Sequence, residues 1–160
     1  MLRDLLVNGQ DAAIAGYKVA AAAATGMGVV ISNESTKTVA FPESATATDI
    51  FLLYKSKVPV GLECAKTEFS DYDTAFNTLA ANEQVILRKY EVGERFATDQ
   101  YASGLVATDA GKKVNVGTDG KWAVGATSAP SKYVFLGFVM DNGHKLARIK
   151  VVEDTTGNPA

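Results

Sequence analysis

Alternation of apolar and polar positions is clearest between Lys113 and Val152, where two hairpins follow one another. Val114 and Val116 lead into Thr118-Asp119-Gly120-Lys121, and Trp122 and Val124 lead out. Asp-Gly between short alternating runs predicts a tight type I′ turn, in which both central residues take positive φ. Tyr133 to Met140 then reaches the turn Asp141-Asn142-Gly143-His144, and Lys145 to Val152 returns. In that return, Leu146, Ile149, Val151 and Val152 are apolar while Lys145, Arg148 and Lys150 suit water. The alternation falters at Ala147-Arg148, which predicts a bulge there. Four strands in about forty residues leave no room for a crossover helix, so this region is an antiparallel sheet.

The same signals recur upstream. Gly26 to Ser32 and Lys37 to Phe41 flank the polar turn Asn33-Glu34-Ser35-Thr36, with Pro42 closing the hairpin. Asp49-Ile-Phe-Leu-Leu-Tyr54 is a short run of β formers. Lys55 to Val58 leads to a turn or sheet edge at Pro59-Val60-Gly61. Further strands are expected at Gln84–Tyr90, Glu94–Thr98 and Leu105–Ala107. One helix is predicted over residues 70–82: Ser70 and Asp73 have capping-box spacing, Tyr72, Phe76 and Leu79 share a face, and Asn82 suits a left-handed stop. Roughly nine to eleven short strands and one short helix fit a mainly β domain, a small antiparallel β-barrel or sandwich.

Residues 1–25 follow neither period. Leu2, Leu5 and Leu6 have helical spacing that Asn8-Gly9 interrupts, and Asp11 to Ala24 is small and nearly featureless. Alanine favours a helix, and Gly16 weakens one by about 1 kcal/mol. This segment is expected to be an extended N-terminal arm lying on another surface; the alternative is an edge strand or packed helix of its own domain. The chain thus divides into an arm (1–25), a β domain (26–152) and a C-terminal tail (153–160).

Composition changes this picture little. The 160 residues are 47% hydrophobic and 21% charged with net charge −2, a balance that argues against a nucleic-acid surface. No apolar run approaches the roughly 18 residues of a membrane span, and the first residues make a poor secretory signal, so synthesis in a cytoplasm is expected. A lone Cys64 excludes an internal disulfide framework.

Candidate chemistry is sparse. His144, the only histidine, sits in a predicted turn, and Cys64 in an apolar setting, so neither a triad nor a thiol–imidazole pair is expected. Glu63, Glu68, Asp71 and Asp73 could offer oxygens to calcium but lack the Gly and Glu of an EF-hand loop; helix capping accounts for the last two more simply. Thr25-Gly26-Met27-Gly28-Val29 lacks the Lys-Ser/Thr of a phosphate loop. The basic residues Lys112, Lys113, Lys145, Arg148 and Lys150 form no dense stripe in the sequence. No enzyme, cofactor or metal site is expected. Trp122 beside a hairpin turn is read as a core or interface residue, the alternative being a stacking platform for a carbohydrate.

Two stretches taken together carry a resemblance. Leu79-Ala-Ala-Asn-Glu-Gln-Val-Ile-Leu-Arg-Lys-Tyr-Glu-Val-Gly-Glu-Arg-Phe96 is followed by Gly104-Leu-Val-Ala107, Gly111 to Val116, Gly120-Lys-Trp122, Phe135-Leu-Gly-Phe-Val-Met140 and Ala147 to Val151. This order, with Gly26-Met-Gly-Val-Val30, Lys37-Thr-Val39 and Ile50-Phe-Leu-Leu-Tyr54 before it, resembles the capsid decoration (cement) proteins of tailed bacteriophages. The resemblance implies a β-tulip-like domain on the outer capsid surface of a virion. It also implies a homotrimer whose partners are the major capsid protein and neighbouring decoration subunits. The arm would then grip the lattice, with Leu2, Leu5, Leu6, Val7, Ile14 and Tyr17 as its contact residues. A head-fibre base, a tail component or a carbohydrate-binding β domain are the alternatives.

Overall fold

The computed structural model describes residues 1–7, 12–54, 72, 74–154 and 156–158. The fold is mainly β and contains a closed five-stranded barrel. The first sheet has six antiparallel strands in the order β1 (Leu2–Leu6), β9 (Arg95–Thr98), β13 (His144–Val151), β12 (Tyr133–Asp141), β10 (Lys113–Val116) and β11 (Trp122–Val124). The barrel runs β2 (Ala12–Val19), β5 (Thr38–Ala40), β4 (Gly28–Asn33), β6 (Phe51–Tyr54) and β8 (Gln84–Lys89). It closes where β2 meets β5 in parallel, Lys18 against Thr38 and Val19 against Val39. A two-residue pairing of β3 (Ala23–Ala24) with β7 (Thr78–Leu79) adds Ala23 and Leu79 to the barrel core.

The two bodies share strand β6. Phe51 and Leu53 point into the barrel with Tyr17, Val19, Val29, Val39, Val85 and Leu87. Ile50 and Leu52 point the other way, into a core of Leu2, Tyr90, Phe96, Trp122, Tyr133, Phe135 and Ile149. A strand buried on both faces reads as an unbroken apolar run, which is why residues 50–53 show no alternation. Gly28 lets β4 lie against the sheet, since a Cβ there would stand 2.4 Å from a methyl of Val116.

Both expected hairpins form, with corrections in detail. The 141–144 turn is the tight type, with Asn142 (φ 48°) and Gly143 (φ 82°) both left-handed. In the 116–122 connection only Gly120 (φ 77°) has positive φ; Gly120 N–H donates to Gly117 O and Gly117 N–H to Lys121 O. That is a wider turn relaxed by one glycine, not type I′. The bulge foreseen at Ala147-Arg148 lies opposite, on β12. Phe135 faces Ile149 and Phe138 faces Ala147, so Leu136 and Gly137 (φ 97°) together stand against Arg148.

Three expectations are overturned. The described residues of the segment 1–25 form no free arm: β1 pairs with β9, and β2 pairs with β8 and β5 as a barrel stave. Among the described residues of 70–82 only Thr74–Asn77 is helical, a single turn, and Leu79 belongs to β7. Leu105–Ala107 is not a strand; a 3-10 turn occupies Ala107–Asp109. Trp122 has no exposed surface and packs edge-on against Tyr133 at 4.8 Å, which removes it as a stacking platform. The readings of Lys55 to Gly61, Glu63, Cys64, Glu68, Ser70, Asp71 and Asp73 lie outside the described residues.

Candidate functional site

The six residues expected to contact a lattice separate by burial. Leu2 is in the sheet core and Tyr17 in the barrel core, so neither is available to a partner. Val7 is half-buried against the sheet core. Leu5, Leu6 and Ile14 are exposed, at 45%, 50% and 38%. The cause for the leucines is local. β1 slips register between Asp4 and Leu6, so two consecutive apolar residues turn outward at the sheet edge. Asp4 holds this edge to the barrel by accepting hydrogen bonds from Arg88 and from the Tyr90 hydroxyl. Burial, then the Asp4 contact, pushes the Tyr90 pKa upward. Tyr17 donates its hydroxyl to Glu34 at 2.7 Å, beside Lys37 at 3.0 Å from the same carboxylate oxygen.

The only histidine belongs to a different cluster. His144 stacks on Tyr72 with ring centroids 3.7 Å apart and planes within 7°. The Tyr72 hydroxyl and Arg3 Nε both donate to Asp141 Oδ2, each at 2.8 Å. Arg3, then Tyr72, holds the Asp141 carboxyl below the usual range. Burial, then Asp141, pushes Tyr72 up to about 12. This arrangement ties residue 72 to the β12–β13 tip. Among the described residues, no three His, Cys, Asp or Glu side chains come together as a metal site.

Pairing also assembles a group that sequence reasoning missed. Residues paired across an antiparallel sheet point to the same face. The row Leu6, Arg95, Lys150, Val134, Lys113 crosses five strands, and the row Arg3, Ala97, Arg148 lies beside it. These cations are scattered over more than a hundred positions of sequence, and register alone collects them on the outer face. Arg3 is paired with Asp141, and Lys113 with Asp154 at 3.6 Å. On the barrel, a shallow apolar dent of about 160 Å³ is lined by Val19, Ala20, Ala21, Val39 and Phe41, among others.

No protein-family model, no curated protein and no solved structure matches the chain.

Proposed function

We propose that this protein is a structural component of a phage virion, a decoration protein that binds the outer surface of the head and stabilises its lattice. The strand order quoted above from residues 26–152 supports this reading. The observation that carries it is the edge strand β1, paired with β9 on one side and presenting Leu5 and Leu6 to solvent. Adjacent exposed leucines on an ordered edge suit a permanent protein contact. The unit is a homotrimer that touches the major capsid protein and neighbouring decoration subunits. Three copies of a weak contact on one trimer make the second and third binding events intramolecular, so modest patches give tight attachment.

Removing residues 1–20 is a poor test, because it takes away a sheet strand and a barrel stave. Replacing Leu5 and Leu6 by Ser alters only exposed side chains. Purified heads lacking the protein are mixed with wild type or with L5S/L6S, and occupancy is read by cryo-electron microscopy and co-sedimentation. The expected result is saturation by wild type and occupancy reduced at least about tenfold for the variant at limiting protein. Wild type that ignores heads, or remains monomeric in analytical ultracentrifugation, refutes the reading.

A further inference from the structure

The outer face of the six-stranded sheet carries an electrostatic arrangement that the fold does not need. Arg95 and Lys150 stand directly opposite each other on β9 and β13, and Arg148 lies two positions from Lys150 on the same face. Like charges in directly opposed positions destabilise a sheet pair. Among the described residues, Arg95, Arg148 and Lys150 have no carboxylate partner. Arg148 is held by one bond, Nη2 to Leu136 O at 3.0 Å, and its Nε is buried without an acceptor. The flanks of this cluster are apolar: exposed Leu6 on one side, half-buried Val134 on the other.

We propose that this face is a docking surface for a carboxylate-rich protein segment, with Arg95, Arg148 and Lys150 receiving its acids and Leu6 and Val134 its apolar side chains. Charge complementarity identifies the occupant, and magnitude separates it from a nucleic acid. Tight duplex binding draws on about 6–10 phosphate contacts. Here three cations without a carboxylate partner among the described residues sit on a chain of net charge −2, enough for a short acidic segment and too few for a long polyanion. The proposal rests on the decoration reading for where such a segment is met, on the lattice, and it places Leu6 at the rim of the same contact.

The test uses the full chain and a short oligoglutamate peptide as probe, followed by fluorescence anisotropy. Wild type should bind the peptide in low salt and release it as salt rises. R95E/K150E should lose at least about tenfold in affinity. K18E/K121E, with the same change in net charge elsewhere, should retain it. Unfolding curves establish that both variants fold; the less invasive R95Q/K150Q replaces the first if it does not. Equal loss in both double variants, or a DNA duplex bound as tightly as oligoglutamate, overturns the inference. Heads separate it from the function itself. Wild type that saturates heads while R95E/K150E does so equally well defeats the inference alone. Oligoglutamate binding lost in R95E/K150E, by a wild type that ignores heads, upholds it and defeats the decoration reading.

Discussion

The barrel core and the sheet core differ in kind. Inside the barrel the buried residues are mostly aliphatic, Val19, Val29, Val39, Leu53 and Leu87, with Tyr17 and Phe51 at its ends of size. The sheet core is built from rings: Phe96 lies 4.7 Å from Tyr90 and 5.5 Å from Trp122, and Trp122 lies 4.8 Å from Tyr133. Short β-branched and leucine side chains fit the narrow interior of a five-stranded closure, while large rings span the wider gap between the sheet and the barrel wall. The difference teaches how one strand can serve both, since β6 offers Leu53 to one side and Leu52 to the other.

The largest expected effect is Trp122→Ala, which empties the centre of the ring cluster and costs about 3–5 kcal/mol in chemical denaturation. Next come Leu52→Ala and Leu53→Ala, each expected to cost about 2–5 kcal/mol although they open different cores. Trp122 is the only tryptophan, so its fluorescence reports the sheet core, while far-ultraviolet circular dichroism reports both. Because β6 is common property, both variants should shift the two signals together. A Leu53→Ala protein whose fluorescence transition stays in place would show that the cores melt separately.

The smallest effect concerns pH. Asp141 is held below the ordinary aspartate range in the folded state, first by Arg3 and then by Tyr72. Its contribution is therefore complete above the unfolded value and vanishes as pH falls through the lowered folded one. Asp141→Asn should lower stability slightly at neutral pH and leave a flatter acid limb in the stability profile. Identical acid limbs for wild type and variant would mean that this cluster does not hold residue 72 to the hairpin tip.

Much of the fold is legible where partners are close in sequence. The hairpins at 28–40, 113–124 and 133–151 announce themselves through short β-forming runs around a polar turn, Asn33 to Thr36 in the first, Asp-Gly in the second and Asn-Gly in the third. The first 25 residues do not, because Ala-rich sequence favours a helix locally and the partners of β1 and β2 lie far downstream, at Arg95–Thr98 and Gln84–Lys89. Gly16 looked like a weak point in a helix. Its φ of 89° instead serves the slip in β2 between Ile14 and Tyr17, after which Tyr17 enters the core. Asn82 does adopt the left-handed conformation expected of it (φ 65°), but in the turn between two strands, β7 and β8. At the candidate surface, Leu5, Leu6 and Ile14 were legible as apolar residues, whereas Leu2 and Tyr17 could not be told apart from them without knowing their partners. The cations were invisible for the same reason, since only strand register makes Arg95 a neighbour of Lys150.

The pairing of Leu2 with Thr98 has a consequence for biosynthesis. During synthesis β1 must wait until β9 has been made before it finds a neighbour, and β9 itself is flanked on its other side by β13, later still in the sequence. Long-range pairing of this kind is slow and leaves strand edges unguarded in the meantime. The nascent polypeptide therefore carries Leu2, buried in the finished fold, uncovered until β9 has been made, a window in which a chaperone or a sister chain has first access to it.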